Sequence, residues 1–406
     1  MRDANPVFIP GPTNIPPQVL RLMSQPTVDH RSAEFAQQMP ELMNKLRRVL
    51  KTEAAKVFIF PSTGTGGWEA AIANTLSRGD RVLACRHGVF SDKWIRLCQN
   101  FGLEVDVIEC DWRGPADPSQ IEARLAADTQ SKIKAVLVTH NETATGVRSD
   151  LPAIRHSINQ AGHDALLMVD GVSSIASMEF EMDSWGIDIA VTGSQKGFML
   201  PAGLAIIAMS ERAIAATYSA DLPKFFFDLR QMDEAVAAGG YPYTPATQLL
   251  SALSFSCDLL LNEGIDRVAQ RHFHIAEGVR LAVAAWGLEI CAGDSHFASD
   301  TVTAIMVPPG FDSNKLTQRA YERYGVSFGV GLGQMAGKAF RIGHLGQLTE
   351  VQALSGLATI EMAMLDLGYS IKAGSGVAAA QNWYRTSCVG TSLSNINICE
   401  QEAVPA

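Results

Sequence analysis

Lys196 lies in the stretch Val191-Thr192-Gly193-Ser194-Gln195-Lys196-Gly197-Phe198-Met199-Leu200, which is apolar, holds no other charge and has glycines on both sides of the lysine. An ammonium in such surroundings is desolvated, so its pKa falls and the neutral amine needed to form a Schiff base becomes accessible. Upstream, Leu166-Leu167-Met168-Val169-Asp170 reads as a buried strand ending on a carboxylate. The interval between Asp170 and Lys196 leaves room for one further strand, Ile187 to Thr192, that brings the lysine beside the carboxylate. A lysine to hold an aldehyde and an aspartate to keep a pyridine nitrogen protonated are the pair that pyridoxal 5'-phosphate chemistry needs. Each residue also has a plainer use. Aspartate at a strand end caps turns and helices, and lysine beside glycine sits in solvated loops.

Other strand-end loops supply further chemistry. Pro61-Ser62-Thr63-Gly64-Thr65-Gly66-Gly67-Trp68-Glu69 joins a predicted strand to a predicted helix, so backbone N–H groups and the positive end of a helix dipole converge where a phosphate is stabilised. The loop lacks the Gly-Lys-Ser/Thr ending of a P-loop, and Trp68-Glu69 stands where a dinucleotide fingerprint needs its third glycine. Arg86-His87-Gly88-Val89-Phe90-Ser91 offers a ring for stacking on a heterocycle, or else a core phenylalanine. Thr139 to Val147 is a polar loop dense in hydroxyls and amides. Arg341, in Phe340-Arg341-Ile342-Gly343-His344, stands in an apolar setting where an unpaired guanidinium is costly, so it should meet a carboxylate, either structural or that of a substrate.

The elements that must position these groups alternate from Val57 to about Thr192: strand, glycine-rich turn, helix, strand, helix, strand. That order predicts an α/β fold with a mostly parallel sheet covered on both faces and ligands at the carboxyl ends of its strands. Past about residue 262 the pattern changes. A long helical stretch from Thr247 to Trp286, short strands and an amphipathic helix from Thr349 to Leu367 predict a smaller α+β domain. We expect a large domain over residues 15–262 and a small one over 263–406, with an N-terminal arm over 1–14. Phe8 to Pro17 holds Pro10, Pro12, Pro16 and Pro17, so it should be an extended arm lying over something. Asp29-His30-Arg31-Ser32 precedes a helical pattern and reads as a solvated or helix-capping group. The tail from Lys372 predicts no regular element.

Composition narrows the function classes. The 406 residues are 47% hydrophobic and 18% charged, with a net charge of -9 and no basic run, which argues against nucleic acid or an anionic membrane as partner and for a small substrate. No uncharged hydrophobic run reaches the roughly 18 residues that would span a bilayer, and the start lacks a signal-peptide core, so a cytosolic protein is expected. Cys85, Cys98, Cys110, Cys257, Cys291, Cys388 and Cys399 are scattered, with no C-x-x-C pair, and read as reduced thiols and not as a metal site.

The ordered set Pro-Gly-Pro-Thr, Ser-Thr-Gly-Thr-Gly, Thr-His-Asn-Glu-Thr-Ala-Thr-Gly, Val-Asp-Gly-Val-Ser-Ser, Thr-Gly-Ser-Gln-Lys, Tyr-Pro-Tyr-Thr-Pro and Phe-Arg-Ile-Gly-His-Leu-Gly resembles the class V aminotransferases, from Phe8 to about Ala380. The resemblance implies fold type I of the pyridoxal phosphate enzymes and a homodimer with shared active sites. It also implies transfer of the amino group of a small L-amino acid, serine first, to glyoxylate, giving glycine and hydroxypyruvate, with aspartate or alanine as alternative donors. By the same resemblance Lys196 is the Schiff-base lysine and Asp170 the partner of the pyridine nitrogen. Val172 and Phe90 would flank the ring, and Thr143 would bond its phenolic oxygen. Thr63, Gly64, Thr65 and Gln195 would hold the phosphate, with Tyr241 and Thr244 reaching in from the other subunit. Arg341 would clamp the substrate α-carboxylate. A cysteine desulfurase of this fold needs a cysteine on a mobile loop, and Gly329 to Gly337 has none. A non-catalytic protein on the same scaffold would be expected to lose Lys196 or Arg341.

Overall fold

The computed structural model describes residues 6–387. Cys388, Cys399 and the first five residues of the arm lie outside the described residues. The strands in chain order are β1 (Lys56–Ser62), β2 (Arg81–Arg86), β3 (Glu104–Glu109), β4 (Ile133–Thr139), β5 (Asn141–Glu142), β6 (Val147–Arg148), β7 (Leu166–Asp170), β8 (Ile189–Gly193), β9 (Gly203–Met209), β10 (Val302–Met306), β11 (Gly329–Val330) and β12 (Ala339–Gly343). Seven of them form one sheet in the order β1-β9-β8-β7-β4-β2-β3. The pairs from β3 through β2, β4 and β7 to β8 are parallel, and β9 runs antiparallel to both β8 and β1. The expected parallel sheet therefore has an antiparallel strand inserted before its edge. The reason is local: β8 returns through the Lys196 turn directly into β9, with no helix to carry it across the sheet.

The strands are buried on both sides, which is why they read as apolar runs. Residues of alternating direction feed two cores: Val136, Leu167, Val169 and Ala190 on one face, Ala135, Leu137, Met168 and Ile189 on the other. Register fixes the site. Asp170 pairs with Thr139 on β4 and with Val191 on β8, so β4 and β7 end at one level and β8 runs on to Gly193 beside them.

A second sheet, antiparallel in the order β10-β12-β11, carries Arg341 on its central strand opposite Ala304 and Gly329. Its core includes Phe340, Ile342, Leu357, Ile360 and Trp286, with Phe8 of the arm buried among them. The arm does lie over something: Phe8 N–H donates to Ser327 O at 2.8 Å, Gly343 N–H to Phe8 O at 2.7 Å, and Thr13 N–H to Gln195 O at 3.2 Å. It thus ties the arginine strand to the lysine turn. A Cβ on Gly343 would lie 2.3 Å from Ile9 O, so only glycine lets the arm approach.

Three expectations need correction. The helical stretch from Thr247 is two helices, Thr247–Glu263 and Ile265–Ala285, parted at Gly264, whose φ of 91° ends one and begins the next. The loop after β4 contains the short hairpin β5–β6. The tail from Lys372, expected to be irregular, holds the helix Ser375–Thr386. Its packing is what the composition concealed. Tyr384 Oη donates to Ile275 O and Trp383 Nε1 to His274 O, each at 2.9 Å, and a Cβ on Gly278 would lie 2.3 Å from the Tyr384 ring. Ser32 caps the helix Ala33–Leu50 by accepting from Phe35 N–H, and Arg31 beside it is exposed. No helix among the described residues is long and apolar enough to cross a membrane.

Candidate active site

Asp170 is the last residue of β7, and Lys196 lies in the turn that leaves β8, the neighbouring strand. The turn is held from inside. Ser194 Oγ donates to Pro201 O at 2.6 Å and accepts from Leu204 N–H at 3.1 Å, while Met199 N–H donates to Lys196 O at 3.0 Å. Gly197 is required there, because a Cβ would lie 2.4 Å from Ile175 O. The lysine side chain is buried, and its Nζ donates to Pro10 O of the arm. A Cβ on Gly11 would lie 2.6 Å from Lys196 Cδ, so the arm's glycine makes room for the lysine.

A cavity of about 270 Å³ opens between these groups. Thr63, Gly64, Thr65, Phe90, Thr143, Asp170, Val172, Gln195 and Lys196 all line it. A Cβ on Gly64 would lie 2.3 Å from Val172 Cγ2, so glycine there brings the helix Gly64–Thr75 close to the cavity wall. That helix begins with no side-chain cap at Thr63, which leaves its first N–H groups for an anion. Arg341 is linked to the same wall. Its Nη1 donates to Thr143 O and its Nε to Val330 O, each at 2.9 Å, and among the described residues no carboxylate pairs with it. Among the described residues the nearest support for its charge is the buried Glu142 carboxylate, which makes no ion pair with it, so its outer N–H groups are free to meet a carboxylate. Tyr241 and Thr244 are not on the cavity wall of the same chain: Tyr241 Oη donates to Ile59 O at 2.7 Å, and Thr244 is exposed.

Burial dominates the charges. It pushes the Asp170 carboxyl up to about 7, opposed by the Val172 N–H bond and by Lys196. Burial pulls the Lys196 amine down to about 8, with the Arg341 cation adding to the fall. The Arg341 guanidinium is brought down to about 10 by burial, and the Glu142 carboxylate partly restores it. Asp170 accepts from Val172 N–H at 3.0 Å, the Trp68 indole beside it also holds its carboxyl down, and Gln195 Oε1 is buried without a partner. A carboxyl short of donors, an amine made easy to deprotonate, an open helix N-terminus, and a ring and a valine on the wall together fit a flat heterocycle with a ring nitrogen, an aldehyde and a phosphate.

Residue reasoning missed several of the lining groups. Gly11, Pro12 and Trp68 also line the cavity, although each was visible in a quoted motif. Glu142 went unnoticed inside the polar loop. It is fully buried, and the donors that meet its carboxylate, Phe90 N–H, Ser91 N–H and Ser91 Oγ–H, come from helix Val89–Asn100, remote in sequence.

Residues 7–287 match the family Aminotransferase class-V. The chain is 55% identical over 385 residues to the L-aspartate–glyoxylate aminotransferase of Paracoccus denitrificans, covering 95% of this chain and 97% of that relative. It is 49% identical over 380 residues to the serine–glyoxylate aminotransferase of Hyphomicrobium methylovorum, covering 93% and 94%. The crystal structure of pyridoxamine–pyruvate aminotransferase from Mesorhizobium loti matches with a TM-score of 0.89 at 30% identity, over 94% of this chain and 98% of that one. The fold is type I of the pyridoxal phosphate enzymes, the cofactor is pyridoxal 5'-phosphate, and the chain belongs to the class V aminotransferases.

Proposed function

We propose that this chain moves the amino group of a small L-amino acid, serine by preference, to glyoxylate, giving hydroxypyruvate and glycine. The observation that carries the reading is that Lys196 and Asp170 line one cavity and that Arg341, with no carboxylate pairing to it among the described residues, donates to Thr143 O on its wall and lowers the Lys196 pKa. Lys196 would hold the cofactor through Nζ. Thr63, Gly64, Thr65 and Gln195 would hold the phosphate, Phe90 and Val172 the two ring faces, and Thr143 the phenolic oxygen. Bound there, pyridoxal phosphate supplies a carbonyl carbon for the amino group and an electron-withdrawing ring. Asp170, as the anion, keeps the ring nitrogen protonated; a cation beside it would bring its carboxyl back toward the ionised form. Lys196, once free, is an amine that takes the α-proton at Nζ and returns it one carbon away, acting first as base and then as acid. Arg341 orients glyoxylate, which offers only a carboxylate and an aldehyde, through paired N–H···O bonds.

The dimer belongs to the same proposal. Thr244 is exposed and Tyr241 is turned to its own β1, which suits a segment that serves the site of a second copy. Mixing Lys196→Ala chains with Thr244→Ala chains should give hybrids with one intact site, and activity should reappear; verified hybrids without activity would refute the shared site. We place the division between large and small domains at residues 262–263, beside the break at Gly264, and the arm at 1–14, although Phe8 is built into the small domain's core. A cytoplasmic location agrees with Cys85, Cys98, Cys110, Cys257 and Cys291 being free thiols.

For the donor, serine is favoured because, among the described residues, Lys196 is the one cation on the cavity wall and Arg341 reaches it through Thr143, so the second carboxylate of aspartate would lack a cation of its own. The 55% identity to the Paracoccus enzyme favours aspartate, with Arg31 of a second copy as a candidate cation. A panel of serine, alanine, aspartate and glycine with glyoxylate, compared by kcat/KM, decides. Serine leading with hydroxypyruvate formed supports the proposal. Aspartate leading by about tenfold or more replaces the donor and leaves the cofactor chemistry standing.

A further inference from the structure

Glu142 is a fully buried carboxylate that the chemistry above does not use. It ends β5, and its side chain crosses to the first turn of the helix Val89–Asn100. Oε2 accepts from Phe90 N–H and Ser91 N–H, each at 3.0 Å, and from Ser91 Oγ–H at 3.2 Å. Oε1 accepts from Ala144 N–H at 3.1 Å. The fit is close enough that a Cβ on Gly88 would lie 2.2 Å from Glu142 Cδ. The donors are not arbitrary. Phe90 lines the cavity, and Ala144 follows Thr143, which also lines it and whose carbonyl accepts from Arg341.

We propose that Glu142 is a positioning residue which, through one carboxylate, fixes the Phe90 ring on one side of the cavity and the Thr143–Arg341 pair on another. The inference rests on the cofactor and substrate roles proposed above. Its physical basis is that a carboxylate is acceptor-only, so it can take N–H and O–H donors from two chain segments at once. An amide of the same shape presents its own N–H₂ to donors that have nowhere else to go. Burial raises the Glu142 pKa while these donors oppose the rise, and its negative charge supports the Arg341 cation. A structural cap alone would govern folding. A positioning residue must also govern how the ring and the arginine are held in the folded enzyme.

The test is Glu142→Gln in the full-length holoenzyme. Expected results are a roughly tenfold weaker Kd for pyridoxal phosphate, visible circular dichroism of the bound cofactor reduced by about half or more, and a roughly tenfold rise in KM for glyoxylate, with kcat falling less. Because Glu142 is held to act on cofactor affinity through Phe90, Glu142→Gln added to Phe90→Leu should weaken Kd by less than the product of the two single effects. Ser91→Ala removes one donor and keeps the charge, and should move Kd and KM in the same direction by about two- to threefold. It serves if Glu142→Gln does not accumulate folded. A lower Tm with unchanged Kd, dichroism and KM overturns the proposal and leaves Glu142 a structural cap, as does full multiplicativity with Phe90→Leu. If borohydride fails to label Lys196 in the wild-type enzyme, the underlying site assignment fails first, and the two failures are distinguishable.

Discussion

Asp170 and Asp188 are both buried carboxylates on neighbouring chain segments, at opposite ends of one sheet, and their surroundings could hardly differ more. Asp188, just before β8, accepts from Arg155 Nη2 at 2.7 Å, Leu167 N–H at 2.9 Å, Ser210 Oγ at 3.0 Å and Arg212 Nη1 at 3.3 Å. Asp170, at the end of β7, has the Val172 N–H and a carboxyl pushed up to about 7 by burial. The fold saturates the carboxylate it uses for its own cohesion. It leaves the other with no cation hydrogen-bonded to it among the described residues, only the Val172 N–H and the Trp68 indole, so a bound cation has a place beside it. Lys196 and Arg341 follow the same pattern at the same end, with backbone carbonyls as their described partners and lowered pKa values.

The largest expected effect is at that end. Lys196→Ala should lower kcat on the order of 10⁴-fold or more, since the proton carrier is lost. The variant should still bind pyridoxal phosphate reversibly, which dialysis and absorbance will show. Asp170→Asn should lower kcat on the order of 10²- to 10³-fold by removing an anion that stabilises developing charge. Asp188→Asn sharpens the contrast. It should cost about 3 kcal/mol of stability by leaving two arginines underpaired, read as a lower urea midpoint, while kcat per folded site stays unchanged. Loss of kcat in Asp188→Asn, or none in Asp170→Asn, would break the comparison.

Much of this contrast can be read from the chain, because a strand that ends on aspartate and a turn that carries one lysine among apolar residues are local signals. The arm was legible from its prolines, and the tight turn into the helix Gly64–Thr75 from its glycines. What could not be read depended on distant partners. Whether Arg341 meets a structural carboxylate depends on β10 and β11 and on the loop after β4. The helix Ser375–Thr386 has the composition of a linker and is recognisable only once Gly278 and Gly376 admit Tyr384 and Trp286. β9 lies past the stretch, ending near Thr192, over which the alternation was legible, and its antiparallel direction follows from the Lys196 turn, not from its own residues. Glu142 is an acid in a polar loop until the first turn of a remote helix closes on it.

Arg341→Lys should raise KM for glyoxylate and for the amino donor roughly 10- to 100-fold with a smaller change in kcat, because a point charge cannot replace a paired fork of N–H donors. Equal loss in kcat alone would move Arg341 out of the clamp. The smallest effects are those of pH on the cofactor-free protein. With Asp170 raised from its ordinary 3.8 to about 7, the folded state holds the extra proton between those values, so this group's contribution to stability falls as pH rises through the window. Asp170→Asn should remove that fall, and Asp188→Asn should not, as thermal melts from pH 4 to 7.5 will show. For Lys196, lowered from 10.5 to about 8, the unfolded state holds the extra proton, so its contribution is present above 10.5 and lost as pH falls through about 8. Capture of pyridoxal phosphate by the cofactor-free protein needs the neutral amine. Its rate should rise with pH and level off above about 8.

The central claim is that Lys196, at the underpaired end of the sheet, is the residue that holds the cofactor. Borohydride reduction of the holoenzyme followed by peptide mapping tests it in one step. Loss of the absorbance near the visible edge and a single pyridoxyl group on the peptide containing Gln195-Lys196-Gly197 are expected. A pyridoxyl group on any other lysine, with Lys196 unmodified, would contradict it.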